Sequence, residues 1–519
     1  MVIGRLAPSP TGAQHVGNAR TFLLAWLSLR SQKGRVLLRI EDIDSPRVKR
    51  GAAEQALDDL RWLGIDWDEG PEAGGPHAPY YQSQRLPGYQ AAVEKLLAGG
   101  FAYRDFATPE ELQVERELAQ QEKRPFLYSR KWMAETPAAA ERFEREGRAG
   151  VVRLRMPREG TLRLKDHIRG EVDFQWAREQ DHVIQRADGT CLYHLASVVD
   201  DFDFQISHVI RAEEHLSNTP RQVFIAQSLG YPLPEYAHLP YVAEPGSKNK
   251  LSKRKLDKYL KNRDFALVNE HGLAIAQAMG LTTSAETFNP VIVDFYEQVG
   301  YLPDAIVNYL MLLGWSLDDK TEFFSRQQMI DNFSLERVTK APASFDPKKL
   351  WAFQDHYMQQ LPLAEKVERT LPFLLRAGLI REPVTAEVRP KLSRILQAAG
   401  DRIKVAGDVL AYADFFFTDN FSYEADALEK RLGKPEAAEL VAKFRERLLT
   451  VEPYNVETLE VAMHAFLAAE NIKIGDIIHG LRVAVTGKSV GPGIYDCLAI
   501  LGREACIARL DRTLERVRA

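Results

Sequence analysis

The sequence predicts a multidomain chain: an α/β unit on a parallel sheet, split by an α+β insertion and followed by an all-α region. Three observations predict it. Strand and helix patterns alternate through the first stretch, to about Ile65. A charged helix and alternating strand patterns interrupt this order between about 101 and 190. Beyond about residue 300 almost every segment carries the helical period.

Residues 2–6 are a short apolar strand that runs into a Pro/Gly-rich turn. From 19 to 30, Phe22, Leu23, Trp26, Leu27 and Arg30 fall at helical spacing, and Gly34 closes the unit. Residues 36–40 form a second strand. The segment 52–63 places Ala53, Ala56, Leu57, Leu60 and Leu63 on one helix face and stops at Gly64. This β-α-β-α order argues for a parallel sheet with crossover helices. The stretch 109–123 is a charged helix, and 151–156 and 161–165 are strands with Gly160 and Gly170 at turns. Asp188-Gly189 signals a hairpin between two β-rich runs. The α/β pattern returns from Cys191 to Gly230. A strand at 206–210 leads to a helix with Thr219 as N-cap, Pro220 at its first position and Gly230 as its stop. The helical region then continues to a last helix at 502–517.

Composition narrows the class. The chain has 519 residues, 45% hydrophobic and 27% charged, which suits several soluble domains. Cys191, Cys497 and Cys506 form neither a CxxC pair nor a Cys/His cluster, so no disulfide framework is expected and a reducing, cytoplasmic setting fits. No stretch approaches the ~18 apolar residues of a membrane-spanning helix, and MVIGRLAPSPTG lacks the apolar segment of a signal peptide. The net charge of -4 gives no global basic footprint, but local positive charge suffices for a polyanion.

Two motifs carry chemistry. The first, Pro8-Ser9-Pro10-Thr11-Gly12-Ala13-Gln14-His15-Val16-Gly17-Asn18, lies between the first strand and the first helix. Ligands of such folds bind at carboxyl ends of strands, where helix N-termini offer free N–H groups to phosphates. His15 can donate to a phosphoryl oxygen, and Gly12 and Gly17 admit close backbone approach. The second, Lys250-Leu251-Ser252-Lys253-Arg254, puts cations on a loop able to close over a triphosphate.

In this order the two motifs resemble the HIGH and KMSKS signatures of class I aminoacyl-tRNA synthetases. The segments RIEDIDSPR, RWLGIDWDEGP, YYQSQRLPGY, AYRDFATPEEL, VIRAEEHLSNTPRQV, HLPYVAEPGSKNKLSKRK, YLPDAIVNYLMLLGWS and FDPKKLWAF resemble the glutamyl-tRNA synthetase family closely. Toward the end of the chain VGPGIYDCLAILGREACIARL also looks like it.

The resemblance implies a Rossmann-type catalytic domain at 1–100 and 191–245, interrupted by an acceptor-end-binding insertion at 101–190. A stem-contact region follows at 246–344, with an extra segment near 256–299, and then a helical anticodon-binding domain at 345–519. It implies ATP-dependent attachment of L-glutamate to tRNA through a glutamyl-adenylate, with magnesium travelling with the ATP. Tyr193, Arg5, Ala7, Ser9, Glu41, Ser197 and Arg211 would hold glutamate, and many relatives carry Asn where Ser197 stands. Ser9, His15, Gly17, Glu214, Lys250 and Lys253 would hold ATP, with His15 and Lys253 acting on the transition state. A dicarboxylic substrate needs a cationic partner, and Arg supplies a two-pronged one.

Some relatives bind zinc in the insertion through closely spaced Cys and His. The matching stretch here, Arg104-Asp105-Phe106-Ala107-Thr108, has neither, so no structural zinc is expected. Arg402, in GDRIK, stands near where discriminating relatives read the third anticodon base. A monomer is expected, with tRNA, ATP and L-glutamate as partners and no membrane. Two alternatives are weighed. Glutaminyl-tRNA synthetases of this lineage carry β-barrels at the end that is helical here, and the short paralogue that modifies a tRNA base ends before that module. A catalytically idle relative would have lost His15, Lys253 or the arginine pair, and all are present.

Overall fold

The computed structural model describes residues 1–43, 48–419, 421–424 and 426–518. The end of the RIEDIDSPR segment, 44–47, lies outside the described residues, as does residue 519 at the end of the helical region. The chain divides into two compact units. The first comprises Met1–Phe265, Asn289–Asp294 and Pro303–Lys349; the second comprises Ala266–Phe288, Phe295–Leu302 and Leu350–Ala519.

The first unit begins with β1 (Ile3–Leu6), α1 (Val16–Ser31), β2 (Arg35–Leu38), α2 (Ala52–Trp62) and α3 (Leu86–Ala98). β1 and β2 pair in parallel with Arg5 opposite Leu37. α1 can end tightly under β1 because residue 34 is glycine: a Cβ there would lie 2.8 Å from the Val2 carbonyl oxygen. Next come β3 (Ala102–Asp105), α4 (Pro109–Gln121), α5 (Pro137–Arg145), β4 (Val151–Leu154), β5 (Thr161–Asp166), β6 (Gly170–Gln175) and β7 (Val183–Gln185). α4 starts at a capping box in which Thr108 and Glu111 satisfy each other's backbone N–H groups. α6 (Tyr193–Asp203), β8 (His208–Ala212), α7 (Thr219–Leu229) and β9 (Glu235–Leu239) complete the frame.

The main sheet runs β2-β1-β8-β9-β5-β6, and all its neighbours are parallel except the β5–β6 hairpin. A separate antiparallel sheet is β3-β4-β7. The hairpin that the sequence assigns to the insertion therefore adds to the main sheet. Leu164 explains the placement, because it is buried in one apolar cluster with Leu37, Val209 and Tyr236. The Asp188-Gly189 turn forms, with Gly189 at φ +85°, but it closes only a single bridge from Gln185 to Cys191 before α6 begins. Thr219 does not cap α7. Asn218 occupies that position without a side-chain bond to the helix backbone, while Thr219 turns its hydroxyl inward to accept from Arg211 Nη2 at 2.9 Å.

The insertion is held by buried aspartates. Asp181 is inaccessible and accepts from Arg130 Nε at 2.6 Å, Tyr103 Oη at 2.8 Å, Met156 N at 3.0 Å and Arg158 Nη2 at 3.3 Å. Asp105 accepts from Tyr128 Oη at 2.5 Å and Arg153 Nε at 2.6 Å. Two carboxylates thus fasten β3 and β4 to the loops around them.

The segment 256–299 contains helices at Leu256–Tyr259, Arg263–Ala278 and Val293–Val299. Most of it belongs to the second unit. Ala406 N donates to the Gly300 carbonyl at 2.8 Å, and His271 Nε2 lies 2.6 Å from Asp408 Oδ1. Its residues Asn289–Asp294 instead belong to the first unit. The rest of the second unit is helical, with Phe444, Phe466, Leu481, Leu498 and Leu510 in its core. Arg509 is buried there and donates to the carbonyls of Phe415, Thr418 and Val485 at 2.7, 3.0 and 2.8 Å, closing two helix ends. No described helix is long and apolar enough to cross a membrane.

Asp181→Ala should destabilise the first unit by about 3 kcal/mol, because it leaves buried donors and arginine charge unpaired. Urea denaturation followed by tryptophan fluorescence measures this; an unchanged midpoint would contradict the role.

Candidate active site

Two crevices open at the carboxyl ends of β1 and β8 and join each other. The first encloses about 490 Å³ and is lined by Arg5, Ala7, Ser9, Glu41, Tyr193 and Arg211, among others. The second encloses about 570 Å³ and is lined by the turn from Ser9 to Asn18 and by Lys250–Lys255. Ser9, Ala212 and Glu214 line both.

The first crevice is cationic at its floor. Arg5, on β1, donates from Nε to Asp201 Oδ1 at 3.1 Å. Arg39 follows β2, is inaccessible, and donates to Asp201 Oδ1 at 2.7 Å and to Glu41 Oε1 at 2.9 Å. Burial opposes charge on both partners of this knot. Asp201 nonetheless lies below the usual carboxylate range, because Arg5 and Arg39 outweigh its burial. Glu41 is raised, burial outweighing Arg39 and Arg5. Asp200 stands behind, accepting from Arg85 Nε at 2.7 Å, Gln82 Nε2 at 2.9 Å and Tyr89 Oη at 2.9 Å. α6 supplies much of this wall, since Tyr193, Ser197 and Asp201 recur every four residues along one face. Ser197 does not line the crevice. It is buried, with Oγ 3.4 Å from Arg39 Nη2, so it touches the arginine that supports the site.

Arg211, on β8, differs from Arg5 and Arg39. It is 5% exposed and has no carboxylate partner among the described residues. Its donors go to neutral acceptors: Gln222 Oε1 at 2.6 Å, Thr219 Oγ1 at 2.9 Å, His238 Nε2 at 3.1 Å and the His215 carbonyl at 3.3 Å. Burial lowers its pKa, as expected for a cation awaiting an anion.

In the second crevice His15 is the N-cap of α1. Its Nδ1 accepts from Gly17 N at 2.9 Å, which leaves the proton of the neutral ring on Nε2. That Nε2 is buried and has no hydrogen-bond partner among the described residues. A Cβ at residue 17 would lie 3.1 Å from Nδ1, so glycine gives the ring room to fold back over the helix end. Burial, then Lys253 and Lys250, push the His15 pKa down to about 3. The turn is pinned from several sides. Pro8 and Pro10 carbonyls accept from Glu41 N and Lys49 N, each at 3.0 Å. Val16 N donates to the Val291 carbonyl at 3.0 Å, and Val293 N to the Gln14 carbonyl at 3.0 Å.

Lys253 Nζ donates to the Ala13 carbonyl, and Lys250 Nζ to Glu214, so both cations reach the turn and its surroundings. Glu214 is thereby already paired. Leu251 is buried, and Ser252 N donates to Tyr259 Oη at 3.0 Å; Arg254 is exposed. Glu244, 1% exposed, accepts from Lys255 Nζ at 2.6 Å and also from Lys258, and these hydrogen bonds hold its pKa at about 2.

Sequence reasoning missed Arg39, Asp200, Asp201, His215, His238 and Glu244. Two signals were available: the Asp pair two helical turns beyond Tyr193, and the basic residues that continue past Arg254. In the second unit, Arg402 donates to the Ala399 carbonyl at 3.2 Å and is otherwise exposed, with no ion pair among the described residues. Of the other basic residues there, Lys404 pairs with Asp355 at 2.6 Å and Arg445 with Asp511 at 2.8 Å.

The family described as tRNA synthetases class I (E and Q), catalytic domain, matches residues 1–287 and 287–352, and an anticodon binding domain matches 363–514. The glutamate–tRNA ligase of Moorella thermoacetica is 41% identical over 514 residues, 99% of this chain and 98% of that protein. That of Desulforudis audaxviator is 38% identical over 98% of this chain and 95% of that protein. A crystal structure of a glutamate tRNA ligase from Elizabethkingia meningosepticum, in complex with its amino acid, superposes with a TM-score of 0.80 at 30% identity, covering 99% of each chain.

His15 and His194 are lowered to about 3, and His182 and His215 to about 4, each mainly by burial. Unfolding returns them to about 6.5. The unfolded chain then binds more protons, so stability should fall as pH drops from about 6.5 toward 4. Urea midpoints measured across that range should decline steadily; a flat profile would contradict these assignments.

Proposed function

We propose, from the premise that the chain belongs to the class I tRNA synthetases of the E and Q type and attaches glutamate to tRNA, that the two joined crevices hold glutamate and ATP end to end. The observation that carries this reading is Arg211: a buried cation without a carboxylate partner among the described residues, lining a crevice that continues into the His15 turn. Arg211 and Arg5 take the substrate's side-chain carboxylate, with Tyr193 beside them. Glu41 takes the ammonium, whose charge opposes the upward pull of burial on that carboxyl. Ala7 and Ser9 form the rim where the α-carboxylate meets ATP. Ser197 acts through Arg39.

The α-carboxylate attacks the α-phosphorus and pyrophosphate leaves. The terminal ribose hydroxyl of tRNA then attacks the glutamyl carbonyl and AMP leaves. Neither step needs a protein nucleophile. His15 donates from Nε2 to a phosphate oxygen, Gly17 admits the phosphates to the helix end, and Lys250 and Lys253 neutralise charge developing on pyrophosphate. Glu214 exchanges Lys250 for the ribose as ATP enters. Magnesium arrives with ATP. Glu214 is the lone carboxylate among the described residues lining the second crevice, which suits a metal held by phosphates and water rather than by a protein cage. The insertion at 101–190 receives the acceptor end, and 246–344 contacts the stem.

The pyrophosphate-exchange assay with glutamate, ATP and tRNA tests these roles. His15→Ala or Lys253→Ala should lower kcat by ~10²-fold or more and change the glutamate KM little. Arg211→Ala should raise the glutamate KM. Unchanged kcat in both of the first two variants would sink the ATP-site assignment. For tRNA choice, Arg402→Gln should cut the preference for glutamate over glutamine tRNAs about 5- to 150-fold in charging assays. An enzyme that charges both equally gives Arg402 no such role.

A further inference from the structure

We propose that Asp166 and His238 are positioning residues for Arg211, the carboxylate fixing the imidazole tautomer and the imidazole aiming the guanidinium that takes glutamate. The proposal rests on the reading of Arg211 given above. Three adjacent strands carry the three groups. Arg211 on β8 stands directly opposite His238 on β9, and Asp166, the last residue of β5, is registered with Tyr236 on β9. Residues in register, and those two apart along a strand, share a sheet face, so the three side chains lie together. Arg211, His238 and Asp166 are 5%, 0% and 2% exposed.

The hydrogen bonds permit one proton assignment. Arg211 Nε can only donate, so His238 Nε2, at 3.1 Å, must accept. The ring proton then sits on Nδ1, which points at Asp166 Oδ2 at 2.6 Å. The other carboxylate oxygen, Oδ1, accepts from Arg169 N at 2.8 Å, Ile168 N at 2.9 Å and His238 N at 3.3 Å. An acceptor-only carboxylate satisfies every one of these bonds. Burial opposes its charge, yet His238 and the backbone donors bring the Asp166 pKa below the ordinary value; burial lowers that of His238 and keeps the ring neutral. The guanidinium also lies over the Tyr236 ring, 5.7 Å from its centroid, and that ring is stacked at 8° to His238. The neutral ring thus holds Arg211 without discharging it, since a carboxylate in its place would compete with the substrate.

Asp166→Asn isolates the claim. The amide oxygen still accepts from the backbone, but the amide N–H₂ now faces His238 Nδ1. The ring proton must move to Nε2, where it confronts the Arg211 N–H. Pyrophosphate exchange should show a glutamate KM raised on the order of 10- to 100-fold with the ATP KM unchanged. The double variant Asp166→Asn with His238→Gln should recover much of that loss, because a glutamine carbonyl accepts from Arg211 whatever stands behind it. A merely structural role would move both KM values together and show no rescue, and that result would overturn the proposal. Arg211→Ala serves as the reference. If it raises the glutamate KM and Asp166→Asn does not, the relay is wrong while the site stands. If Arg211→Ala leaves the glutamate KM unchanged, the site reading fails and the relay with it.

Discussion

Burying positive charge without losing it is the constraint on which the catalytic unit is built. A pocket for a doubly acidic substrate needs cations removed from water, and each such cation costs several kcal/mol unless its surroundings answer it. The chain answers Arg5 and Arg39 with Asp200, Asp201 and Glu41, all within hydrogen-bonding or ion-pair reach. It answers Arg211 differently, with carbonyl, amide, hydroxyl and imidazole acceptors. Arg39 is thus neutralised behind the crevice, Arg5 is shared between Asp201 and the crevice, and Arg211 lines the crevice with no carboxylate partner among the described residues. The substrate supplies the anion that Arg211 lacks.

The same logic runs through the insertion. Asp105 and Asp181 gather Arg130, Arg153, Arg158, Tyr103 and Tyr128 around two buried carboxylates. These groups cross-link a small sheet whose strands bury Ala102, Val152, Leu154 and Ile184 in one apolar cluster with Tyr89, Leu195 and Ile225. The directional polar knot adds a fixed geometry that non-directional apolar packing does not supply. The signature loop follows suit on a smaller scale, with Lys255, Lys258 and Tyr259 gathered on buried Glu244.

Local pattern made the alternating half of the fold legible. The strand at Ile3–Leu6, the helix from Val16 and the strand from Arg35 announce themselves by period and by glycine stops. Long-range pairing was not legible. Nothing local says that β5 leaves its neighbour β4 to lie beside β9, because that choice depends on Leu164 finding Leu37 and Val209 far away in the sequence. The motif residues stood out because their chemistry is unusual for a turn, and the resemblance to a family brought in Arg5 and Arg211. Their supports did not stand out: Asp201, His238 and Asp166 look like ordinary helix and strand residues until the sheet brings them to Arg5 and Arg211. Thr219 shows the limit sharply. Its type suits a helix cap, but a buried guanidinium offered its hydroxyl a stronger bond.

The interleaved path of the chain has a consequence for how the protein is made. The backbone passes between the two units five times, at 265/266, 288/289, 294/295, 302/303 and 349/350. During synthesis, Ala266–Phe288 and Phe295–Leu302 emerge well before Leu350–Ala519, the stretch with which they fold. At a translation rate of about 5–20 residues per second they wait on the order of ten seconds or more. Through that interval Phe288, Phe295 and Tyr296, whose rings pack on one another, are without the 350–519 part of the chain. The helical unit is therefore no detachable cassette: a single crossover at 350 would carry off its bulk and strand two of its pieces in the host.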